Sequence, residues 1–218
     1  MKFSVSSADL LKQLQIVNGA IGSNPVLPIL EDFLFSIEGN KLSIAATDLE
    51  TSIRTSTEVQ SSGDASIAIP AKILMDTLKA LPQQPITFSI NEDSFAIEIT
   101  SAYGRYKLAG ENGSDFPVIP ASDDVNTIVV PAPVLAQAIS KTLFATSNDE
   151  LRPAMTGVYF KVADNTLTCV ATDAHKLVRF SYDDIADVTE ADFIVPKKAL
   201  NLLKAALPQG DVVNLSFN

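Results

Sequence analysis

Ala46-Thr47-Asp48 and Ala171-Thr172-Asp173 are the same tripeptide placed 125 residues apart. The copy extends outward on both sides. Phe3 to Phe35 returns as Ile128 to Phe160, Pro28 as Pro153, Phe35 as Phe160, and Leu42 as Leu167. A smaller unit lies inside the larger one. Four times a short apolar strand runs into Ser or Pro and then a leucine-rich helix: Phe3–Leu14, Ser66–Leu78, Thr127–Ile139 and Asp192–Leu203. Self-similarity at a fixed period means one supersecondary unit used repeatedly. The expected fold is α+β, with two helices packed on antiparallel sheet in each domain. The expected boundaries are a first domain over 1–122, a linker over 123–126 and a second domain over 127–218, incomplete at its C-terminal end because nothing after Phe217 answers to Phe95–Ala109.

The local signals agree with that frame. Ser6 or Ser7 stands as an N-cap before Leu10, Leu14, Val17 and Ile21 at helical spacing. Phe33, Phe35 and Ile37 alternate as in a strand, and Gly39-Asn40 turns into Leu42–Ala46. Pro70 opens a second helix whose apolar stripe is read as Ile73, Leu74, Leu78 and Leu81. Strands are expected at Ile86–Ile90, Phe95–Ile99 and Arg105–Ala109. Phe116-Pro117 and Pro120–Asp124 read as an exit and linker.

Composition narrows the function. The 218 residues are 46% hydrophobic, enough for packed cores, and the formal charge is -10. One cysteine, Cys169, rules out an internal disulfide, and neither a signal peptide nor an apolar run of about 20 residues is present, so a cytoplasmic protein is expected. The charge is unevenly spread. The four expected helices hold seven bases (Lys12, Lys72, Lys79, Lys141, Lys197, Lys198 and Lys204) and two acids, Asp9 and Asp76. That is a net +5 on the helices, leaving -15 on everything else. Lys72, Asp76 and Lys79 share a helix face away from the leucines, as do Lys197 and Lys204. A basic helical lining within an acidic shell suits a phosphate backbone contacted without base reading. No basic–aromatic cluster of the single-strand kind accompanies it, which favours duplex.

Other chemistries find little support. Asp48 and Asp173 could be paired carboxylates from two lobes, as in aspartic proteases. However, Leu49 and Ala174 follow them where a glycine belongs, and a turn carboxylate bonded to its own backbone is the simpler reading. His175, the single histidine, lacks the company a zinc site or a serine triad needs. The glycines form no phosphate-binding fingerprint. No catalytic residue, metal or cofactor is expected.

Several motifs together resemble a family. Met1-Lys2-Phe3, Leu27-Pro28-Ile29-Leu30, Ala46-Thr47-Asp48-Leu49-Glu50, Ile69-Pro70-Ala71-Lys72, Asp115-Phe116-Pro117 and Ala171-Thr172-Asp173-Ala174-His175-Lys176-Leu177 are similar, in order and spacing, to the bacterial DNA polymerase III beta subunit, the sliding clamp. The resemblance implies a processivity factor rather than an enzyme. Two copies of three domains each would form a head-to-tail ring around double-stranded DNA. It implies DNA-facing bases at Lys12, Lys72, Lys79, Lys141, Lys197, Lys198 and Lys204, with Arg152 on the loop after the third helix. Asn24 stands where the family can place an arginine. It also implies a groove for short apolar peptides of polymerases and the clamp loader, with Met155, Thr172, His175, Lys176 and Leu177 forming one half. The other half, and the third domain needed for ring closure, would follow Asn218. Weak DNA binding, poor peptide binding and no closed ring are therefore expected of these 218 residues.

Overall fold

A computed structural model describes residues 1–119, 126–185, 190–207 and 210–217. The chain divides into two compact units, Met1–Ile119 and Pro120–Asn218. The expected linker at 123–126 lies outside the described residues except for Asn126, which opens a strand.

Unit 1 runs β1 (Lys2–Ser6), α1 (Ser7–Val17), β2 (Asp32–Glu38), β3 (Lys41–Thr47), β4 (Ser52–Glu58), β5 (Gln60–Ser61), β6 (Ala65–Pro70), α2 (Ala71–Lys79), β7 (Pro85–Ile90), β8 (Ala96–Ser101), β9 (Gly104–Ala109) and β10 (Glu111–Asn112). Two antiparallel sheets result, ordered β5-β1-β7-β8-β9 and β10-β6-β2-β3-β4. Each helix follows directly from a strand. Ser6 caps α1 by accepting from the Asp9 N–H, while at α2 the cap position is Pro70, which needs no N–H there.

The core of unit 1 is closed around an aromatic trio. Phe3 and Phe88 stack with ring centres 4.7 Å apart, and Phe35 lies 6.5 and 6.3 Å from them. All three are buried, with Leu10, Leu14, Leu74 and Leu78 from the helices packed on them and their neighbours. Strand alternation puts Phe33, Phe35 and Ile37 inward as expected, since period 2 fixes the face.

Unit 2 runs β11 (Asn126–Pro131), α3 (Ala132–Thr142), β12 (Gly157–Ala163), β13 (Thr166–Thr172), β14 (Leu177–Asp183), β15 (Ala191–Pro196), α4 (Lys197–Ala206) and β16 (Val212–Phe217). The four-stranded sheet is ordered β14-β13-β12-β15, and β11 pairs with β16. Here the aromatic contacts are Phe160–Phe193 and Phe193–Phe217, at 5.7 and 5.3 Å. Phe193 and Phe217 are only partly buried. Cys169 is fully buried and its thiol is pushed up to about 12 by desolvation, which leaves it inert as a nucleophile.

The helices are shorter than the periodicity suggested. α1 ends at Val17 and passes into a 3-10 turn at Asn18–Ala20, and α3 ends at Thr142 before a similar turn at Leu143–Ala145. The expected stripe on α2 is displaced by one position. Ile73 is 54% exposed, and Met75 takes its place with Ala71, Leu74 and Leu78 on the buried face. Those four sit at i, i+3, i+4 and i+7, the stripe a straight helix presents. Phe95 lies outside β8 with φ +54, in the turn that precedes it. Phe116 is also more than an exit: it is buried with Ile29 and Ala68 in a small cluster that pins the end of unit 1.

Candidate functional site

The helix lysines stand where the charge count put them, with one exception. On α2, Lys72, Asp76 and Lys79 are exposed opposite the buried face. Lys12 on α1 is exposed beside the buried Leu10 and Leu14. In unit 1, α1 and α2 pack against each other, so their exposed bases belong to one helical layer. In unit 2, Lys141, Lys198 and Lys204 are exposed on α3 and α4. Lys141 holds its ammonium 5.8 Å from the Phe180 ring centre, a cation–π arrangement that leans it over β14. Arg152 is exposed, and its Nε donates to Asp149 Oδ2 at 2.9 Å, which offsets its charge locally. Lys197 is the exception. It is half-buried and its ammonium donates to Asn148 Oδ1 at 2.8 Å.

The duplicated Thr-Asp pairs form the same turn twice. In unit 1, Asp48 Oδ1 accepts from the N–H groups of Glu50 and Thr51 at 3.1 and 2.7 Å. Thr47 Oγ1 donates to the Thr51 carbonyl and accepts from the Leu49 N–H. In unit 2, Asp173 Oδ1 accepts from His175 and Lys176 at 3.1 and 3.0 Å, and Thr172 Oγ1 bonds the Lys176 carbonyl and the Ala174 N–H. Leu49 and Ala174 carry the left-handed φ values, +79 and +75, that close each turn. A carboxylate in this position satisfies turn N–H groups that have no strand partner. In unit 2 the Lys176 ammonium also bonds Asp173, and together these contacts hold the Asp173 carboxyl well below the usual carboxylate range. The two acids are therefore turn-builders, each bonded to the backbone of its own turn.

Around the second turn, strand register brings the expected groove residues to one end of the four-stranded sheet. Thr172 pairs with Leu177, at the end of β13 and the start of β14. Met155 ends the 3-10 turn Pro153–Met155 just before β12, which is antiparallel to β13. Leu177 is 67% exposed, His175 and Lys176 are exposed, and Met155 is half-buried. The result is a set of apolar and basic side chains around the hydrogen-bonded Thr172–Lys176 turn.

Sequence reasoning passed over two residues that the register makes prominent. Asp32 is buried at the start of β2, paired with Pro70. Desolvation pushes its carboxyl up to about 6, with Glu111 and Glu31 adding to the effect. Asn148 is the anchor for Lys197. The signal for both was the repeat itself: aligning the halves puts Asp32 opposite Gly157, and Ser23 opposite Asn148.

A twofold repeat of strand–helix–strands units, with two base-bearing helices on antiparallel sheet in each, defines a clamp-type α+β fold. Family comparison specifies it further. Residues 1–120 match the DNA polymerase III beta subunit N-terminal domain, and residues 129–218 match its central domain. The chain belongs to the DNA polymerase III beta subunit family. The beta sliding clamps of Synechocystis sp. and Vibrio cholerae are each 33% identical to it, over 100% and 94% of this chain. The matches cover 61% and 56% of those proteins, so the chain spans roughly three-fifths of the curated relatives. Two solved sliding clamps overlay on the whole chain and on 60% of their own. That from Bacillus subtilis has a TM-score of 0.95 at 25% identity, and that from Caulobacter crescentus 0.92 at 30%.

Proposed function

We propose that the chain works within a DNA sliding clamp that encircles duplex DNA and tethers DNA polymerase III. The observation that carries this reading is the separation of charge. Helices α1 to α4 hold seven lysines in a chain of net charge -10 that belongs to the clamp family. Lys12, Lys72, Lys79, Lys141, Arg152, Lys197, Lys198 and Lys204 are the proposed phosphate contacts. Lysine suits a sliding contact because it is a flexible point charge and demands no fixed geometry. Met155, Thr172, His175, Lys176 and Leu177 are proposed as part of a groove for the apolar peptide motifs of polymerase and clamp-loader subunits. The whole protein is proposed to close as a homodimeric ring. Processivity then comes from topology, since polymerase rebinding becomes effectively intramolecular. It needs no catalytic residue and no cofactor, and it would operate in the cytoplasm. No helix among the described residues is long and apolar enough to cross a membrane.

Titrating duplex DNA at several salt concentrations tests the contacts. Binding should be independent of sequence, and log affinity should fall linearly with log salt. Each lysine replaced by glutamine should flatten that slope by about 1. Lys72→Gln and Lys79→Gln should act strongly, and Arg152→Gln and Lys197→Gln weakly, since the latter two side chains are already engaged. For the ring, the whole protein should stay on nicked circular DNA and leave it once it is linearised. Salt-independent binding, or equal loss from both DNA forms, would refute the proposal.

A further inference from the structure

Unit 1 contains a cleft of about 580 Å3 between the turn after α1 and the exposed side of α2. Its walls include Ile21, Ile73 and Met75, which offer a hydrocarbon surface. Asp32 lines it with Glu31. Asp32 is 6% exposed, no hydrogen bond or ion pair reaches its carboxylate among the described residues, and what remains open of the carboxylate faces the cleft. A buried carboxylate without a counter-charge is costly. Its carboxyl, raised to about 6, bears the mark of that cost.

Unit 2 shows what the equivalent space accepts. Strand register makes the halves comparable: Asp32 pairs with Pro70 as Gly157 pairs with Pro196. Ala71 follows Pro70 as Lys197 follows Pro196. Ser23 and Asn148 are likewise 125 residues apart. In unit 2 the Lys197 side chain crosses from the start of α4 to Asn148, so a butylammonium chain of the protein itself spans the gap. Unit 1 lacks that lysine. Ala71 ends at its Cβ, and where unit 2 has Gly157, unit 1 has a carboxylate.

The net charge of the lining selects the valence of a ligand. Glu31, Asp32 and Asp76 against Lys72 and Lys79 leave one negative charge, which a monocation balances. A divalent metal is not favoured, because among the described residues no group of three or more His, Cys, Asp or Glu side chains could hold one.

We infer that this cleft of unit 1 binds an amphipathic monocation, an alkylammonium or alkylguanidinium, with Asp32 as its counter-charge and the Ile21–Ile73–Met75 wall around its chain. The inference does not rest on the clamp reading. The cation can come from a free amine or from a lysine or arginine side chain presented by a partner protein.

The test is amide chemical-shift titration of the labelled chain with pentylammonium, with pentanol as neutral isostere, and with acetyl-Gly-Arg-Gly-amide. Saturable shifts are expected at Gly22 and Ile73, with pentanol at least about tenfold weaker, since a charge-assisted hydrogen bond is lost. Asp32→Asn should weaken pentylammonium by about tenfold and leave pentanol unchanged. Ala71→Lys should abolish pentylammonium binding by installing the chain that unit 2 already has. A peptide that binds more tightly than the free amine identifies a presented side chain as the source, and the reverse order identifies a small amine. Equal binding of amine and alcohol, unchanged affinity in Asp32→Asn, or shifts confined to other parts of the chain would overturn the inference.

Discussion

The two units share a plan and differ in how tightly it is filled. In unit 1 the aromatic trio is wholly buried, with Phe3 and Phe88 supplied by one five-stranded sheet and Phe35 by the other. In unit 2, Phe160 is buried but its aromatic neighbours Phe193 and Phe217 are partly exposed. The repeat keeps Phe35 as Phe160, while Phe3 returns as Ile128, so each unit builds its aromatic contacts from different positions. Where the units agree most closely is in their turns, and there the geometry is made by local bonds that do not depend on the core.

Core truncation should separate the units most clearly. Phe35→Ala should cost about 3–5 kcal/mol, and Phe160→Ala an amount toward the lower end of that range, because the partly exposed Phe193 and Phe217 beside it can shift to fill the space. Chemical denaturation followed by amide signals of each unit checks this. An equal loss in both would break the comparison.

A smaller effect is expected at the β12–β15 ladder. A Cβ on Gly157 would meet the Val195 carbonyl oxygen at 2.5 Å and Ile194 Cγ2 at 2.6 Å. Gly157→Ala should destabilise unit 2 by about 1–3 kcal/mol, although unit 1 carries Asp32 at the same register position. Stability unchanged in that variant would mean the two ladders are spaced alike.

The turns should respond differently to acid. Asp48→Asn should cost roughly 1–2 kcal/mol at neutral pH, through weaker bonds to two backbone N–H groups. For Asp173 the folded carboxyl lies below its ordinary value of 3.8. A depressed pKa stabilises the fold above that value, and the contribution is lost as pH falls below it. Asp32 has the opposite sign. Its folded value of about 6 exceeds 3.8, so the fold binds the proton more tightly, and stability falls as pH rises from about 4 to 6. Across pH 3 to 7, Asp32→Asn should therefore lose the decline in stability between about pH 4 and 6, and Asp173→Asn should flatten the loss of stability below about pH 4, as melting curves would record.

The smallest effect is expected on the surface of α2. Ile73→Ser should change stability by no more than about 0.5 kcal/mol, whereas Met75→Ala should cost about 2–4 kcal/mol. A reversal would restore the stripe that hydrophobicity alone suggested.

That stripe shows where the sequence was readable and where it was not. The strand alternation at Phe33–Ile37 and the turn role of Asp48 and Asp173 followed from short-range pattern, because their causes are short-range, and the repeat followed from direct comparison of the two halves. The expected stripe contained Ile73, whereas the structure selects by helical angle from Ala71 and buries Met75. The lysines of α2 were legible for the same reason the stripe nearly was: one face of a helix fixes the other. Asp32 and the reach of Lys197 were not, since both depend on which residue of β6 or β15 stands opposite the start of β2 or β12. Register of that kind is settled by tertiary contact.

In both copies the Thr-Asp turn is closed by its first two side chains and the backbone of the residues that follow, with the Lys176 ammonium adding a bond to Asp173 in the second. Leu49-Glu50-Thr51 in one copy and Ala174-His175-Lys176 in the other thus differ in every side chain while keeping one shape. Such a loop is a portable mount. Either copy can therefore carry a different recognition surface on the same hairpin by point substitution, and an engineer could graft a foreign tripeptide there, provided its first residue tolerates the left-handed φ that Leu49 and Ala174 adopt.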